Sequence, residues 1–421
     1  RTVHTGLLEY KNVYRPARVI SYDKESGELV LHNYMDFDNL KDYVKISYEL
    51  TQDGLLIGKG KLAEVSVVPH SEGKTNLQVN VPENGKCYLK LTYHLKKEMP
   101  LLEEDYILGF DEIEVSQKDA KCQLAEKWVE KTVTDSELQV SEDDTQIHIK
   151  GREFAYTIDR RTALFTEMKF AGREYLNHPM ELNIWRAPTD NDMYIKSEWK
   201  KAHYDKAYTR AYTTEVVQGK HGVKITSHAS VVAETVQKIL DVTITWKIEA
   251  AGKIDADIAV TKDDEFPDLP RFGVRMFLDK KLSAARYFGM GPQESYCDKH
   301  QAASHGLYRA DVGDLHEDYI RPQENGSHYD CEYVELNNSR YGIVASAEKA
   351  FSFNASYYTQ EELEKKTHNY ELIESDSVVF CVDYALNGIG SNSCGPVVLE
   401  QYRFDDVLFR FQFTLIPYVK G

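Results

Sequence analysis

The chain has 421 residues, of which 42% are hydrophobic and 28% charged, the composition of an ordinary globular protein with two or three domains. Its 68 acidic and 51 basic residues give a formal net charge of -17, which repels phosphate and argues against nucleic-acid or anionic-membrane partners. No apolar run approaches the ~18 residues of a membrane-spanning helix. The six cysteines show no Cys-x-x-Cys spacing, so we expect reduced thiols in a cytoplasmic-type protein, neither a disulfide framework nor a zinc site.

Alternating apolar and polar residues recur along the chain and predict β-strands. The clearest runs cover residues 44–50, 89–95, 242–248, 254–260 and 409–415. Each run places its apolar side chains on one face, as a half-buried strand requires. The 28 Tyr and 16 Phe residues also suit pleated, half-buried surfaces. Convincing helix patterns are few, with Ser197–Tyr208 a candidate short surface helix, so the sequence predicts an all-β protein made of antiparallel sandwiches.

A polar stretch at residues 116–121 divides the chain into two unequal parts. The ~115 residues before it suit one immunoglobulin-like β-sandwich, and we place that domain at residues 1–116. Residues 117–421 contain many more predicted strands and no comparable linker, so we expect one large sandwich domain there. The chain starts at Arg1 without a charged-then-apolar leader, and we expect a piece of a longer polypeptide or a processed product.

Familiar catalytic motifs do not occur: the sequence has no Gly-x-Ser-x-Gly elbow, phosphate loop or His-Glu-x-x-His pattern. Among 68 acidic residues, sequence alone does not single out the two carboxylates ~5 Å apart that retaining glycoside hydrolysis needs. Thr189–Asp192 resembles the start of a calcium loop but lacks the Gly and Glu that should follow, so we favour an Asx-rich turn. His316 and His328 flank an acidic, aromatic loop and are candidate bases only if this domain acts alone.

Three segments have compositions unlike ordinary strands. They are Arg186–Asp192 (RAPTDND), Gly289–Tyr296 (GMGPQESY) and Asn387–Pro396 (NGIGSNSCGP). In this order they resemble the C-terminal half of the β-galactosidases of glycoside hydrolase family 2. Two further segments, Leu269–Gly273 and Tyr319–Gly326, continue the resemblance, which covers essentially the whole chain.

The resemblance implies a fold, a reaction and the absence of the reacting groups. In that family an immunoglobulin-like fourth domain precedes a large galactose-mutarotase-like β-supersandwich, the fifth domain, and these correspond to residues 1–116 and 117–421. The family hydrolyses terminal β-D-galactosides such as lactose with retention, through a galactosyl-enzyme intermediate. Its two catalytic Glu residues and its magnesium and sodium ligands lie in a barrel that would precede Arg1. This chain is therefore expected to hold no catalytic residue, metal or cofactor and to be inactive alone.

One position of the sugar pocket is also implied. In that family the loop matching Gly388–Pro396 presents a Trp at the rim of the galactose pocket, and the alignment puts Cys394 at or next to it. A thiol offers no broad apolar face for a sugar ring, so either another aromatic completes the pocket, or the sugar platform is weaker or serves a different leaving group. Alternatively, Cys394 is a small buried residue in a tight Gly-rich loop. Its polar neighbours Ser393 and Asn392 are candidates to meet sugar hydroxyls.

The other motifs are assigned to turns and to a domain interface. Gly289–Pro292 predicts a sharp turn, and Glu294 either secures this turn or faces the barrel. The loop that carries Arg186, Asp190, Asn191 and Asp192 is expected to contact the catalytic domain, positioned by an ion pair between Arg186 and Asp190.

Two functions remain open on the sequence. The first is a non-catalytic part of a β-galactosidase, cut from one polypeptide or made as a separate small chain. Its implied partners are the N-terminal and barrel domains, a β-galactoside at the pocket rim and further copies in a homo-oligomer. The second is a free-standing mutarotase-like enzyme or a carbohydrate-binding module.

Overall fold

The computed structural model describes residues 3–124, 138–391 and 393–420, and β-strands dominate them. They form two compact units. The first comprises residues 3–124 with Met290–Pro292 and His300–Leu307, and the second comprises the described residues from 138 onward apart from those two segments. The all-β prediction is confirmed. The division between the units along the chain falls in residues 125–137, outside the described residues, so the domain boundary placed after residue 116 stays a prediction.

The first unit is a two-sheet sandwich. One sheet has the strand order β1-β2-β5 and the other β4-β3-β6-β7. Buried side chains from both sheets, such as Leu31, Ile46 and Leu89, belong to a single core, which is how a β-sandwich buries the apolar face of each sheet. The elements are α1 (Thr5–Val13), β1 (Ala17–Tyr22), β2 (Glu28–Asn33), α2 (Leu40–Tyr43), β3 (Val44–Gln52), β4 (Leu55–Lys61), β5 (Glu72–Asn76), β6 (Cys87–Leu95) and β7 (Ile107–Glu114).

The second unit contains most of the strands. Its first elements are β8 (Gln139–Glu142), β9 (Gln146–Lys150), β10 (Phe154–Asp159), β11 (Leu164–Phe170), β12 (Arg173–Glu174), β13 (Leu176–Asn183), α3 (Ile195–Lys201), β14 (Tyr208–Gln218), β15 (Gly222–Val232), β16 (Leu240–Glu249), β17 (Ile254–Lys262) and β18 (Arg271–Asp279). The later ones are β19 (Ala284–Gly291), β20 (Ser304–Asp311), β21 (Ser327–Asn337), β22 (Tyr341–Ser356), α4 (Gln360–Lys365), β23 (Ser377–Leu386) and β24 (Leu408–Val419). The last two residues of β19 and residues 304–307 of β20 are counted in the first unit.

These strands form one large sheet and one small sheet over a common core. The small sheet has the order β12-β11-β10-β9-β8, and the large one runs β13-β18-β23-β22-β24-β17-β16-β15-β14 with β19, β20 and β21 attached beside β22. Trp246 of β16 is fully buried. Its indole packs edge-on against Phe165 of β11 with ring centroids 4.9 Å apart, and its N–H donates to the Ala163 carbonyl at 2.8 Å. The alternation predicted for residues 242–248 is therefore confirmed, since its apolar residues face this core.

The helix predicted over Ser197–Tyr208 is shorter than expected. The α-helix covers Ile195–Lys201, and a 3₁₀ turn follows at Tyr204–Lys206. Between them His203 adopts a left-handed conformation with φ 58°, which an α-helix of L-residues does not continue through. Trp199 is buried, and its indole N–H donates to the Asp268 carbonyl at 2.8 Å.

Candidate functional site

The strand register brings two of the unusual segments to one edge of the large sheet. β13 and β18 run antiparallel with Asn183 opposite Gly273, and β18 and β23 run antiparallel with Arg271 opposite Leu386. The end of β13, the start of β18 and the end of β23 therefore lie together. Residues 184–192 and 387–399, which follow β13 and β23, leave the sheet at this edge.

Arg186 joins the two loops. Its side chain is completely buried, and its Nε and Nη2 atoms donate to the two Asp192 carboxylate oxygens at 3.1 and 2.7 Å. Its Nη1 donates to the Asn387 carbonyl, and Nη2 also donates to the Gly388 carbonyl at 3.1 Å. The planar guanidinium can make all of these contacts at once, because its N–H groups point toward the carboxylate on one side and toward the two backbone carbonyls on the other.

Asp298 and Asn191 fix the next two residues of the 387–399 loop. The Asp298 carboxylate accepts the backbone N–H of Ile389 at 3.0 Å and of Gly390 at 2.7 Å, while the Asn191 amide donates to the Ile389 carbonyl at 2.7 Å. A Cβ added at Gly388 would lie 2.7 Å from an Asp298 carboxylate oxygen, so a side chain there would displace the contact. We call Arg186, Asp192, Asn191 and Asp298 the anchor cluster.

A second ion network lies at the same sheet edge. Arg271 donates to Asp383 from Nε at 3.2 Å and from Nη2 at 2.5 Å, and from Nη1 to Glu324 at 3.0 Å. All three residues are buried. Burial raises the pKa of both Glu324 and Asp383, and the charge of Arg271 opposes the rise. The Glu324 backbone N–H donates to the Ala187 carbonyl at 2.9 Å, which ties this network to the 184–192 loop.

Glu294 secures the turn that follows β19. Its carboxylate accepts from Lys299 Nζ at 2.6 Å, from the Tyr319 hydroxyl and from the Gly326 backbone N–H at 2.9 Å. Burial pushes the pKa of Glu294 up, but Lys299 and the other donors outweigh it and leave the pKa below its ordinary value. Of the two roles considered for Glu294, its contacts support the structural one.

Residues 393–397, which we call the tip of the 387–399 loop, are exposed beyond the anchor cluster. Of the six cysteines, all in described residues, only Cys394 is exposed. The alternative in which Cys394 is a small buried residue is therefore wrong. Ser393 is exposed as well, whereas the prediction for Asn392 lies outside the described residues. The loop thus has a fixed base and a tip whose polar groups face solvent.

The sequence of the second unit matches a known family model. Residues 150–415 match the model described as "Beta galactosidase small chain". This chain belongs to that family. Residues 29–116, in the first unit, match the model for "Beta-galactosidase, domain 4".

Curated relatives of this β-galactosidase small-chain family member are much longer proteins. A protein named "Beta-galactosidase" from Actinobacillus pleuropneumoniae is 42% identical over 418 residues, covering 99% of this chain and 40% of the relative. One of the same name from Staphylococcus xylosus is 30% identical over 421 residues, covering 99% of this chain and 41% of the relative. The chain therefore spans about two-fifths of the length of the curated relatives it matches.

The solved structures that align with this chain are distant in sequence. A galactose 1-epimerase from Lactobacillus acidophilus NCFM aligns with 69% of this chain and 100% of its own, at a TM-score of 0.37 and 9% identity. A protein from Escherichia coli K12 titled a putative aldose 1-epimerase aligns with 68% of this chain and 99% of its own, at a TM-score of 0.32 and 6% identity.

The structure changes the expected partner of Arg186 in this family member. The ion pair predicted with Asp190 is wrong, because Arg186 pairs with Asp192. Asp190 is exposed and exchanges hydrogen bonds with Gln323, its N–H donating at 3.2 Å and its carboxylate accepting at 3.3 Å. Contact of this loop with a catalytic domain stays a prediction.

The segment that resembles a calcium loop is a turn. Asp192 accepts from the Thr189 backbone N–H at 2.8 Å and from its hydroxyl at 3.2 Å, and residues Asp190–Asp192 form a 3₁₀ turn. Both oxygens of the Asp192 carboxylate already accept hydrogen bonds from Thr189 or Arg186. The carboxylate is therefore not available as a ligand for a cation. In the described ranges, no group of three or more His, Cys, Asp or Glu residues could hold a metal ion.

The two candidate histidines pack against aromatic rings. His328 is buried between Tyr287 and Phe353, with ring centroids 4.5 and 5.0 Å away. His316 lies 4.9 Å from the Tyr358 ring, and burial lowers its pKa against the opposing charges of Asp318 and Glu317. These surroundings favour packing roles for both.

Sequence reasoning missed Arg271, Asp298 and Asp383. Each lies in or beside a motif region, yet its partners are 53 to 112 residues away along the chain. No local spacing in the sequence signals such long-range contacts.

In the part of the chain that the structure describes, no helix is long and apolar enough to cross a membrane.

Proposed function

We propose that this chain is the non-catalytic, C-terminal part of a retaining β-galactosidase and supplies part of the rim of its galactose pocket. The observation that carries the proposal is the match of 99% of the chain to proteins named "Beta-galactosidase" that are about two and a half times as long. On this proposal the catalytic Glu pair, the magnesium and the sodium lie in the barrel domain, and the N-terminal and barrel domains are the partners of this chain. Assembly into a homo-oligomer and a cytoplasmic location belong to the same proposal.

The anchor cluster supports a rim role for the 387–399 loop. Pocket groups act best when the structure beneath them is rigid, and the base of this loop is held by a buried guanidinium and by the Asp298 carboxylate. Beyond this base, the Ser393 hydroxyl and the Cys394 thiol are exposed and available to a sugar.

The buried carboxylates beside these loops are paired with arginines, which supports placing catalysis elsewhere. Retaining hydrolysis needs two carboxyl groups ~5 Å apart that can reach the anomeric carbon. Asp192 is paired with Arg186, and Asp383 and Glu324 are paired with Arg271. Buried and ion-paired carboxylates of this kind hold a loop in place and are closed to substrate.

The rim role is tested in the protein encoded by the complete reading frame. We expect Cys394→Trp to change the KM for a chromogenic β-galactoside by about threefold or more, with a smaller change in kcat, because a new aromatic face alters sugar packing while the reacting groups stay in place. Leu408→Trp, at an exposed position outside the loop, is the matched control. If both variants keep the parent KM and kcat, the rim role is refuted.

The second candidate is a free-standing carbohydrate-binding module or mutarotase-like enzyme. It predicts that the chain by itself binds free galactose with micromolar affinity, whereas a partial rim should bind it weakly or undetectably. Isothermal titration calorimetry of the purified chain with galactose separates the two. A micromolar isotherm would favour the second candidate.

A further inference from the structure

A large cleft lies within the second unit. Its volume is about 1340 Å³, which exceeds the roughly 300–1,000 Å³ of most small-molecule pockets. Residues of β19, β21 and β24 line it, together with the turns that follow β9, β11 and β16. No member of the anchor cluster lines the cleft, so the proposed function leaves it unexplained.

Basic side chains are concentrated in this cleft although the whole chain is acidic. Five of the lining residues are basic and four are acidic: Arg152, Lys253, Arg286, Arg309 and Lys420 against Glu153, Asp311, Asp314 and Glu335. Lys253 forms an ion pair with Glu249, with 2.6 Å between its Nζ atom and a carboxylate oxygen. The Glu335 carboxylate accepts a hydrogen bond from the Tyr418 hydroxyl. Within residues 3–124, 138–391 and 393–420, the three arginines make no ion pair.

Arg286 occupies the partly buried part of the cleft. It lies on β19 directly opposite Glu335 of β21. Its Nε atom is buried and has no hydrogen-bond partner among the described residues. A buried N–H donor without an acceptor loses its hydration and gains nothing in return. The Glu335 carboxylate accepts from the Tyr418 hydroxyl, and a guanidinium that makes no ion pair of its own pairs readily with an added anion. The Arg286 side chain is only partly buried and lines the cleft, so its remaining guanidinium N–H groups are available to an acceptor on a ligand.

The other side chains that line the cleft indicate which chemical groups a ligand should carry besides an anion. Asp311 and Asp314 offer acceptors for hydroxyl groups, Asn337 offers both a donor and an acceptor, and Phe170 and Tyr418 offer ring surfaces. The same two carboxylates would repel a ligand with several anionic groups. A polyhydroxylated molecule with a single anionic group satisfies both conditions.

We propose that this cleft binds a sugar-sized, hydroxyl-rich ligand that carries one anionic group, a carboxylate or a phosphate, with the Arg286 guanidinium as its main contact. The site goes beyond the proposed function and does not depend on it. It would bind an acidic sugar whether or not the chain contributes to a galactose pocket.

The test is isothermal titration calorimetry of the full chain with galacturonate, galactose 6-phosphate and galactose. We expect at least one of the two anionic sugars to bind at least about tenfold more tightly than galactose, and the preferred anion identifies the oxyanion. Raising the salt from about 20 to 200 mM should weaken that binding, because the attraction is partly screened.

Two variants assign the contact to Arg286. Arg286→Gln should reduce the affinity for the anionic sugar about tenfold or more, and Arg286→Lys should reduce it less because it keeps the charge and loses the planar fork. Arg210→Gln, at an exposed position on β14 outside the cleft, should bind like the parent. Circular dichroism and melting temperature check that each variant is folded. Absence of binding at about 10 mM ligand, equal binding of galactose, or parent-like binding by folded Arg286→Gln would each overturn the proposal.

Discussion

Arg186 is enclosed completely, and Asp192 balances its charge. Removing one partner of a buried ion pair leaves an uncompensated charge and costs roughly 3–5 kcal/mol. We expect Asp192→Ala to lower the free energy of unfolding by about 3 kcal/mol or more, measured by urea denaturation. Asp190→Ala is the matched control, because this neighbouring carboxylate is exposed and its loss should cost less than about 1 kcal/mol. Equal losses in the two variants would contradict the assignment of Asp192 as the partner.

Glu294 makes stability depend on pH in a predictable direction. Its pKa is lower in the folded chain than its ordinary value of 4.5, because Lys299 and its other donors outweigh the effect of burial. For an acid with a depressed folded pKa, the stabilisation is complete above the unfolded pKa and is lost as the pH falls through the folded one.

The prediction concerns the difference between the parent and Glu294→Gln in free energy of unfolding. We expect this difference to be constant from neutral pH down to about pH 5 and to shrink as the pH is lowered below about 4.5. Urea denaturation at several pH values measures it. Glu234→Gln, at an exposed position, should show a difference near zero throughout. A Glu294→Gln difference that grows on acidification would refute the linkage.

At the scale of elements, the 387–399 loop depends on two backbone hydrogen bonds to Asp298. Asp298→Ala removes both acceptors, so the residues beyond Gly390 should move more freely. Cys394 is the one exposed cysteine, and a nitroxide attached there reports the motion by electron paramagnetic resonance. We expect sharper lines in Asp298→Ala than in the parent. Asp314→Ala, which removes an exposed carboxylate outside the anchor cluster, is the control, and identical spectra for all three proteins would contradict the anchoring role.

Strands were predictable from the sequence because their signal is local. The alternation at residues 44–50 and 254–260 reports which side chains face a core, and the structure places strands Val44–Gln52 and Ile254–Lys262 there. The helix at Ser197–Tyr208 was predicted too long because nothing in its pattern announces the left-handed backbone at His203.

The anchor cluster was only partly predictable. Arg186 and Asp192 were identified as loop residues from an unusual motif, but the choice between Asp190 and Asp192 depends on turn geometry that the motif does not express. The contacts of Arg186 with Asn387 and Gly388 span 201 and 202 residues. Only the register of β13, β18 and β23 brings these loops together, and a single sequence does not reveal strand order.

At the scale of the whole molecule, both units match β-galactosidase family models, and the chain covers about two-fifths of its curated relatives. The Gly-rich and Asx-rich loop motifs of the sequence indicated the same family. Such loops require particular residue types, so they are more distinctive than the hydrophobic pattern of a strand. The galactose pocket itself was beyond prediction from this chain, since on our proposal its reacting carboxylates belong to another part of the protein.

The most direct test of this account is the hydrolysis of a chromogenic β-galactoside, measured in parallel for this chain and for the protein encoded by the complete reading frame. We predict turnover by the complete protein and a rate indistinguishable from buffer for the chain. The account would be contradicted if hydrolytic activity eluted together with the chain through successive purification steps and were absent from a mock preparation.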